Sequence, residues 1–127
     1  MKNYLERLRF AIDIQAKHSA KITIQHDELV QDYSLEAGLT TCIFDTTVYE
    51  SGEHKLVLNI VDSEGILKIC DLRIHGVSVG LGIYDNVYTT KSGISRDNIL
   101  KLGEQGHWTH TFDAPVHEHS DWRIGLV

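Results

Sequence analysis

Four of the chain's eight histidines, His107, His110, His117 and His119, fall in its last quarter. His117 and His119 stand two residues apart, so on a strand their side chains would share one face. Two imidazoles on one face, with Glu118 and Asp121 beside them, are donors that a transition metal accepts. The spacings of familiar zinc sites are absent: there is no C-x-x-C and no H-E-x-x-H. A solvated polar edge accounts for the same residues, and no metal site is expected from them. A proton-sensing face is the other reading. Protonating all eight histidines near about pH 6.5 would take the formal charge from −6 to +2.

The carboxylates Asp45, Glu50, Glu53, Asp62, Glu64, Asp71 and Asp85 raise the question of calcium, which collects six to eight oxygens from loops. No D-x-D-x-D-G loop is present, so no cofactor is expected, with calcium the option left open. The glycines at 76, 80 and 82 lack the G-K-S/T of a phosphate loop and precede no helix pattern, which reads as a strand with a bulge. Serine, histidine, cysteine and acidic residues occur singly, and no spacing unites them into a nucleophile–base pair. The expectation is a protein that is not an enzyme. The aromatic residues offer a different chemistry. Tyr84-Asp85-Asn86-Val87-Tyr88 places two flat rings and two hydroxyl-reading side chains in one expected loop, so Tyr84, Asp85, Asn86 and Tyr88 are the candidate carbohydrate-binding residues. Trp108 and Trp122 lie in alternating segments and read as core.

The elements that must position these groups follow a period of two. Leu8, Phe10, Ile12 and Ile14 alternate with polar or small residues, as do Ile22 and Ile24, then Cys42, Phe44, Thr46 and Val48. Leu56, Leu58 and Ile60 continue the pattern, followed by Cys70, Leu72 and Ile74, by Val77 to Ile83, by Trp108, His110 and Phe112, and by Trp122, Ile124 and Leu126. Such alternation marks half-buried strands. Turn residues separate most segments, among them Ser51-Gly52, Ser63-Glu64-Gly65, His75-Gly76 and Gln105-Gly106. Helical signal is confined to one turn around Tyr4, Leu5 and Leu8 and another over Ser95 to Gly103, with Ser95 as N-cap. No segment sustains a crossover helix, which excludes a parallel βαβ fold. The expected architecture is an all-β, antiparallel, jelly-roll-like β-sandwich of about eight strands, forming a single domain over residues 1–127.

Composition bounds the function. At 127 residues, with 42% hydrophobic and 24% charged side chains, the chain is long enough to bury a core and not disordered. A net charge of −6 with no Lys/Arg run longer than two argues against nucleic acid and anionic membranes. No apolar run approaches the roughly 20 residues of a membrane span, and the N-terminus lacks a signal-peptide core. Cys42 and Cys70, both in apolar stretches, are expected to be buried free thiols.

Two hairpin strands, Gly52-Glu53-His54-Lys55-Leu56-Val57-Leu58 and Ile69-Cys70-Asp71-Leu72-Arg73-Ile74-His75-Gly76, resemble those of small jelly-roll carbohydrate-binding modules. They resemble still more a group of small virion proteins of marine tailed phages that infect cyanobacteria. The shared features are a polar strand-turn-strand (Ile22 to Val30, with His26-Asp27-Glu28 at the turn), the Gly82-Ile83-Tyr84 and Asn86-Val87-Tyr88 loop, the strand Gly106 to Pro115, and the late Trp122. The chain differs at Thr89-Thr90-Lys91, where the group carries a proline, and at Arg123, where it carries an aliphatic residue. The resemblance implies a non-enzymatic structural component of a virion, in tail, baseplate or capsid decoration, made in the host cytoplasm. Its partners would be other virion proteins or copies of itself. The alternative it implies is a host-glycan adhesin, with or without calcium.

Overall fold

A computed structural model describes residues 5–63, 66–78, 86–90, 93–95, 99–101 and 106–116. Its described residues are mostly strand and contain no α-helix. The strands are β1 (Glu6–Ala16), β2 (Ala20–His26), β3 (Leu29–Leu35), β4 (Gly38–Val48), β5 (Gly52–Ser63), β6 (Ile66–Ile74), β7 (Val77–Ser78), β8 (Asn86–Thr90), β9 (Gly93–Ser95), β10 (Ile99–Lys101) and β11 (Gly106–Ala114). Every pairing among them is antiparallel. One sheet has the order β10-β6-β1-β4, with β7 also on β6; the other runs β3-β2-β5-β11-β8-β9. The fold is the expected antiparallel β-sandwich, and the chain crosses repeatedly between its two sheets.

Alternation builds the core. Along β1, Leu8, Phe10, Ile12, Ile14 and Ala16 point inward between exposed or half-buried neighbours. The register sets Phe10 opposite Phe44 and Ile12 opposite Cys42 on β4. From the second sheet, Ile22, Ile24, Leu56, Leu58 and Trp108 close the core, each essentially without exposure. Burying aliphatic or aromatic side chains of this size contributes about 1.5–3 kcal/mol apiece. The outward face of the first sheet is instead held by polar pairs. Arg73 donates to both Asp13 carboxylate oxygens (2.9 and 3.0 Å) and to Asp71, and Thr41 donates to Asp13. At the sheet edges, the Tyr33 hydroxyl of β3 donates to the Ile43 carbonyl of β4.

Three expectations are corrected. Leu8 continues the period-two row of β1 and belongs to a strand, not an N-terminal helical turn. Ser95 ends β9, and Ile99–Lys101 pair with Ile66–Lys68, so the described residues of the segment expected to be helical are strand. Cys42 is buried, but Cys70 is exposed. The cause is a bulge: Asp13 pairs with Asp71 and Ile14 with Ile69, leaving Cys70 as the extra residue. Ile69 and Leu72 therefore both point inward, and Cys70 faces out. Trp108 is core, as anticipated; Trp122 lies outside the described residues.

Candidate functional site

The inward rows of three neighbouring strands change character at one end of the sandwich. Along β2 the row is Ala20, Ile22, Ile24 and then His26. Along β5, followed backwards, it is Leu58, Leu56 and then His54. Along β11 it is Trp108, His110 and then Phe112. Because β2 pairs with β5 and β5 with β11, these row ends meet. Phe112 is directly opposite His54 in the register, and their rings stack with centroids 5.6 Å apart and planes 22° from parallel. His26 lies 5.1 Å from His54 and 5.8 Å from Phe112, centroid to centroid. Phe112 also meets Phe10 of the facing sheet at 5.4 Å. The histidine pair thus rests on an aromatic floor continuous with the core.

Asp27 follows His26 in the two-residue turn to β3, with φ of 53°, a conformation that Asp adopts more readily than most residues. Its Oδ2 lies 3.5 Å from His26 Nε2 and 3.9 Å from His54 Nδ1. His26 Nε2 and His54 Nδ1 are 3.0 Å apart. The outer nitrogens are also held. His54 Nε2 is 2.8 Å from the Glu50 carbonyl, which can only accept, so Nε2 carries the hydrogen and a neutral His54 has its lone pair on Nδ1. His26 Nδ1 is 2.7 Å from Thr46 Oγ1, a hydroxyl that can donate or accept. The assignment consistent with these contacts has His26 Nε2–H donating to His54 Nδ1 and the Thr46 hydroxyl donating to His26 Nδ1. Burial, the largest influence, holds the His26 pKa below the ordinary histidine value; the Asp27 charge opposes this and His54 reinforces it. His26 is therefore neutral near pH 7.

The three side chains form the floor of an open cleft of about 1250 Å³. Both sheets contribute its walls. Arg7 and Arg9 come from β1, and Asp45 from β4; Glu28 comes from the β2–β3 turn, and Glu53 from β5. Tyr49 and Glu50 lie between β4 and β5. Two arginines thus face five carboxylates (Asp27 included), and Arg9 is bound in a two-point pair with Asp45 (2.7 and 3.1 Å). The cleft is net acidic, which favours cations and hydroxyl-bearing ligands over anions. Thr46, His26 and Asp27 stand in the order of a nucleophile–base–orienter relay. Thr46 is largely buried (6% exposed), and its hydroxyl clamps His26 from the wall of the cleft.

Of the four residues expected to bind carbohydrate, Tyr84 and Asp85 lie outside the described residues, and Asn86 opens β8. Tyr88 is on the same strand, opposite Trp108 in the register and only 3% exposed, so its ring packs in the core. The 86–88 segment is a strand where a loop was expected. His117, Glu118, His119 and Asp121 also lie outside the described residues. His110 is buried between Trp108 and Phe112. Among the calcium candidates, Asp45 and Asp71 are held in ion pairs with Arg9 and Arg73. His26, Asp27 and His54 were not expected as a set from the sequence. One signal was available: extending the Ile22-Ile24 and Leu58-Leu56 rows by one step each puts a histidine on the buried face. Comparison with protein-family models, curated proteins and solved structures finds no match.

Proposed function

We propose that this domain is a non-enzymatic recognition module that takes a hydroxyl-rich ligand, of the carbohydrate class, in the cleft at the end of the sandwich. The observation that carries the reading is the composition of that cleft. Tyr49 is 46% exposed and lines it together with Asp45, Glu50, Glu53 and Arg9. A flat ring for the C–H face of a sugar and charged groups for its hydroxyls are the two elements such recognition needs. Tyr49 offers the exposed platform that the buried Tyr88 does not.

The test is a glycan array probed with the wild-type chain and with Tyr49→Ala, each with and without calcium. The expected result is binding that Tyr49→Ala abolishes while the far-ultraviolet circular dichroism is unchanged. A wild-type chain that binds no glycan under either condition refutes the reading.

Membership of a virion or similar particle is a second reading. It is favoured by the edges of the sandwich: among the described residues β3 and β4 are edge strands, and they expose Leu29, Val30, Leu39 and Ile43. Exposed apolar side chains along an edge suit strand addition by a neighbouring protein or copy. The cleft lies at the end of the sandwich, so an edge-bound domain could still present it.

A further inference from the structure

We propose that His26 Nε2, His54 Nδ1 and Asp27 Oδ2 hold one divalent transition-metal ion, of the zinc and cobalt class, at the floor of the end cleft. The three atoms converge on one place. Points separated by 3.0, 3.5 and 3.9 Å lie on a circle of radius about 2.0 Å, and zinc sits about 2.0–2.1 Å from imidazole nitrogen and about 2.0–2.2 Å from carboxylate oxygen. An ion at or just above the plane of the three atoms therefore meets all of them at bonding distance without movement of the backbone. The donor set, two imidazoles and one carboxylate, is borderline in softness and suits zinc, cobalt, nickel or iron(II). It does not suit calcium, which wants an oxygen shell at about 2.3–2.6 Å.

The surroundings meet the other requirements of a metal site. Each imidazole has its outer nitrogen fixed by a partner, the Glu50 carbonyl for His54 and the Thr46 hydroxyl for His26, which is how ligating histidines are oriented. His54 already presents a lone pair on Nδ1. His26 frees its own by moving the proton from Nε2 to Nδ1, where the Thr46 hydroxyl turns from donor to acceptor. That change moves a proton within one ring, so none has to leave the pair. The excess of carboxylates around the cleft draws a dication in. Among the described residues three protein ligands converge, and Asp27 is 63% exposed by side chain, so the remaining positions of the ion open on the cleft, where an oxygen of a bound ligand or water completes the shell. Metal binding here does not depend on the glycan reading, because it is measured without any glycan.

The experiment titrates cobalt(II), and in parallel zinc, into the full chain. Cobalt reports through visible ligand-field absorption and zinc through calorimetry. The variants are Asp27→Asn, His54→Gln and the double variant His117→Gln/His119→Gln, each checked by circular dichroism. Asn also tolerates the positive φ at position 27, so loss of binding there cannot be ascribed to misfolding. The expected result is one ion per chain with cobalt bands in the wild type and in the 117/119 variant. Affinity should fall in Asp27→Asn and His54→Gln by more than the 10–100-fold, roughly, that loss of an outer partner costs. Absence of bands in the wild type overturns the proposal. So does their persistence in both Asp27→Asn and His54→Gln, or their loss in the 117/119 variant. A chain that binds cobalt but no glycan retains the metal site and refutes only the carbohydrate reading.

Discussion

Thr46→Val isolates the clamp on His26. Valine has nearly the shape of threonine, so the change removes a hydroxyl and little volume. Thr46 is 6% exposed and His26 1% exposed, and the hydroxyl lies 2.7 Å from His26 Nδ1. His26 Nε2 is already engaged with His54, and the ring is almost without exposure, so Nδ1 loses the one contact that holds it. One buried polar nitrogen is left unpaired, at a cost of about 1–3 kcal/mol, or about 5- to 150-fold in the unfolding equilibrium. Thr46→Ser keeps the hydroxyl and deletes one methyl, at about 1 kcal/mol. The separating measurement is a double-mutant cycle with His26→Leu, followed by urea denaturation at pH 7.5. In the His26→Leu background both partners are apolar, and Thr46→Val should cost close to nothing. Thr46→Ser should cost the same in both backgrounds. If Thr46→Val costs no less in the His26→Leu background than in the wild type, the hydroxyl is not what holds the ring, and the tautomer assignment built on it fails.

Two further predictions concern the first sheet. Cys70 should react with a thiol reagent in the native protein at pH 8, and Cys42 only after unfolding. Cys42 is buried, and burial followed by the Asp13 charge pushes its thiol up to about 11; two fast native thiols would refute the burial of Cys42, and no fast native thiol would refute the bulge that turns Cys70 outward. The Asp13–Arg73 pair should show in acid. Burial alone would raise the Asp13 pKa, but the hydrogen bonds from Thr41 and Arg73 and the Arg73 charge outweigh it and hold the carboxyl below its ordinary value. A carboxyl depressed in the folded state contributes stability above its unfolded value, and that contribution is lost as pH falls through the folded one. Thermal melts from pH 5 to pH 2 should therefore drop less steeply below about pH 4 for Arg73→Met than for the wild type, and parallel curves would refute the assignment.

The sandwich was legible because period-two burial is local. Leu8 to Ile14, Ile22 and Ile24, Leu56 and Leu58, and Trp108 to Phe112 could each be placed on a face from residue order alone, and each face is the buried one. Legibility ended where the period breaks. The bulge at Cys70 depends on how β6 pairs with β1, which no stretch of β6 reveals by itself. β3 is exposed along most of its length, so it carries no alternation, and β10 is a strand only because the edge of β6 accepts it. The site was hidden for a related reason. His26 and His54 are 28 residues apart and share no motif; what unites them is the register that lays the end of β2 beside the start of β5. Tyr88 erred in the opposite direction, since a ring within the mostly polar stretch Asp85-Asn86-Val87-Tyr88-Thr89-Thr90 reads as a loop until its strand is known to lie beside β11.

The position of the histidine pair bears on what selected it. Ile24 and Leu56 show that these rows accept aliphatic residues with no exposure, and one more aliphatic residue on each would extend the core to Phe112. Replacing a buried polar pair by apolar side chains of similar volume is commonly neutral or stabilising, so folding alone gives no reason for imidazoles at 26 and 54. Keeping them requires Thr46 and the Glu50 carbonyl to satisfy their outer nitrogens, and it brings a carboxylate at a positive-φ turn position to within 3.9 Å. These dependent features come from separate stretches of chain and meet at the end of the sandwich where the cleft opens. A core feature would have no use for the opening; a binding site needs it. The partner chosen for His26 sharpens the point. A carbonyl there would fix one tautomer, whereas the Thr46 hydroxyl serves both, which is what a ring must have if it hydrogen-bonds its neighbour when the site is empty and ligates an ion when it is filled.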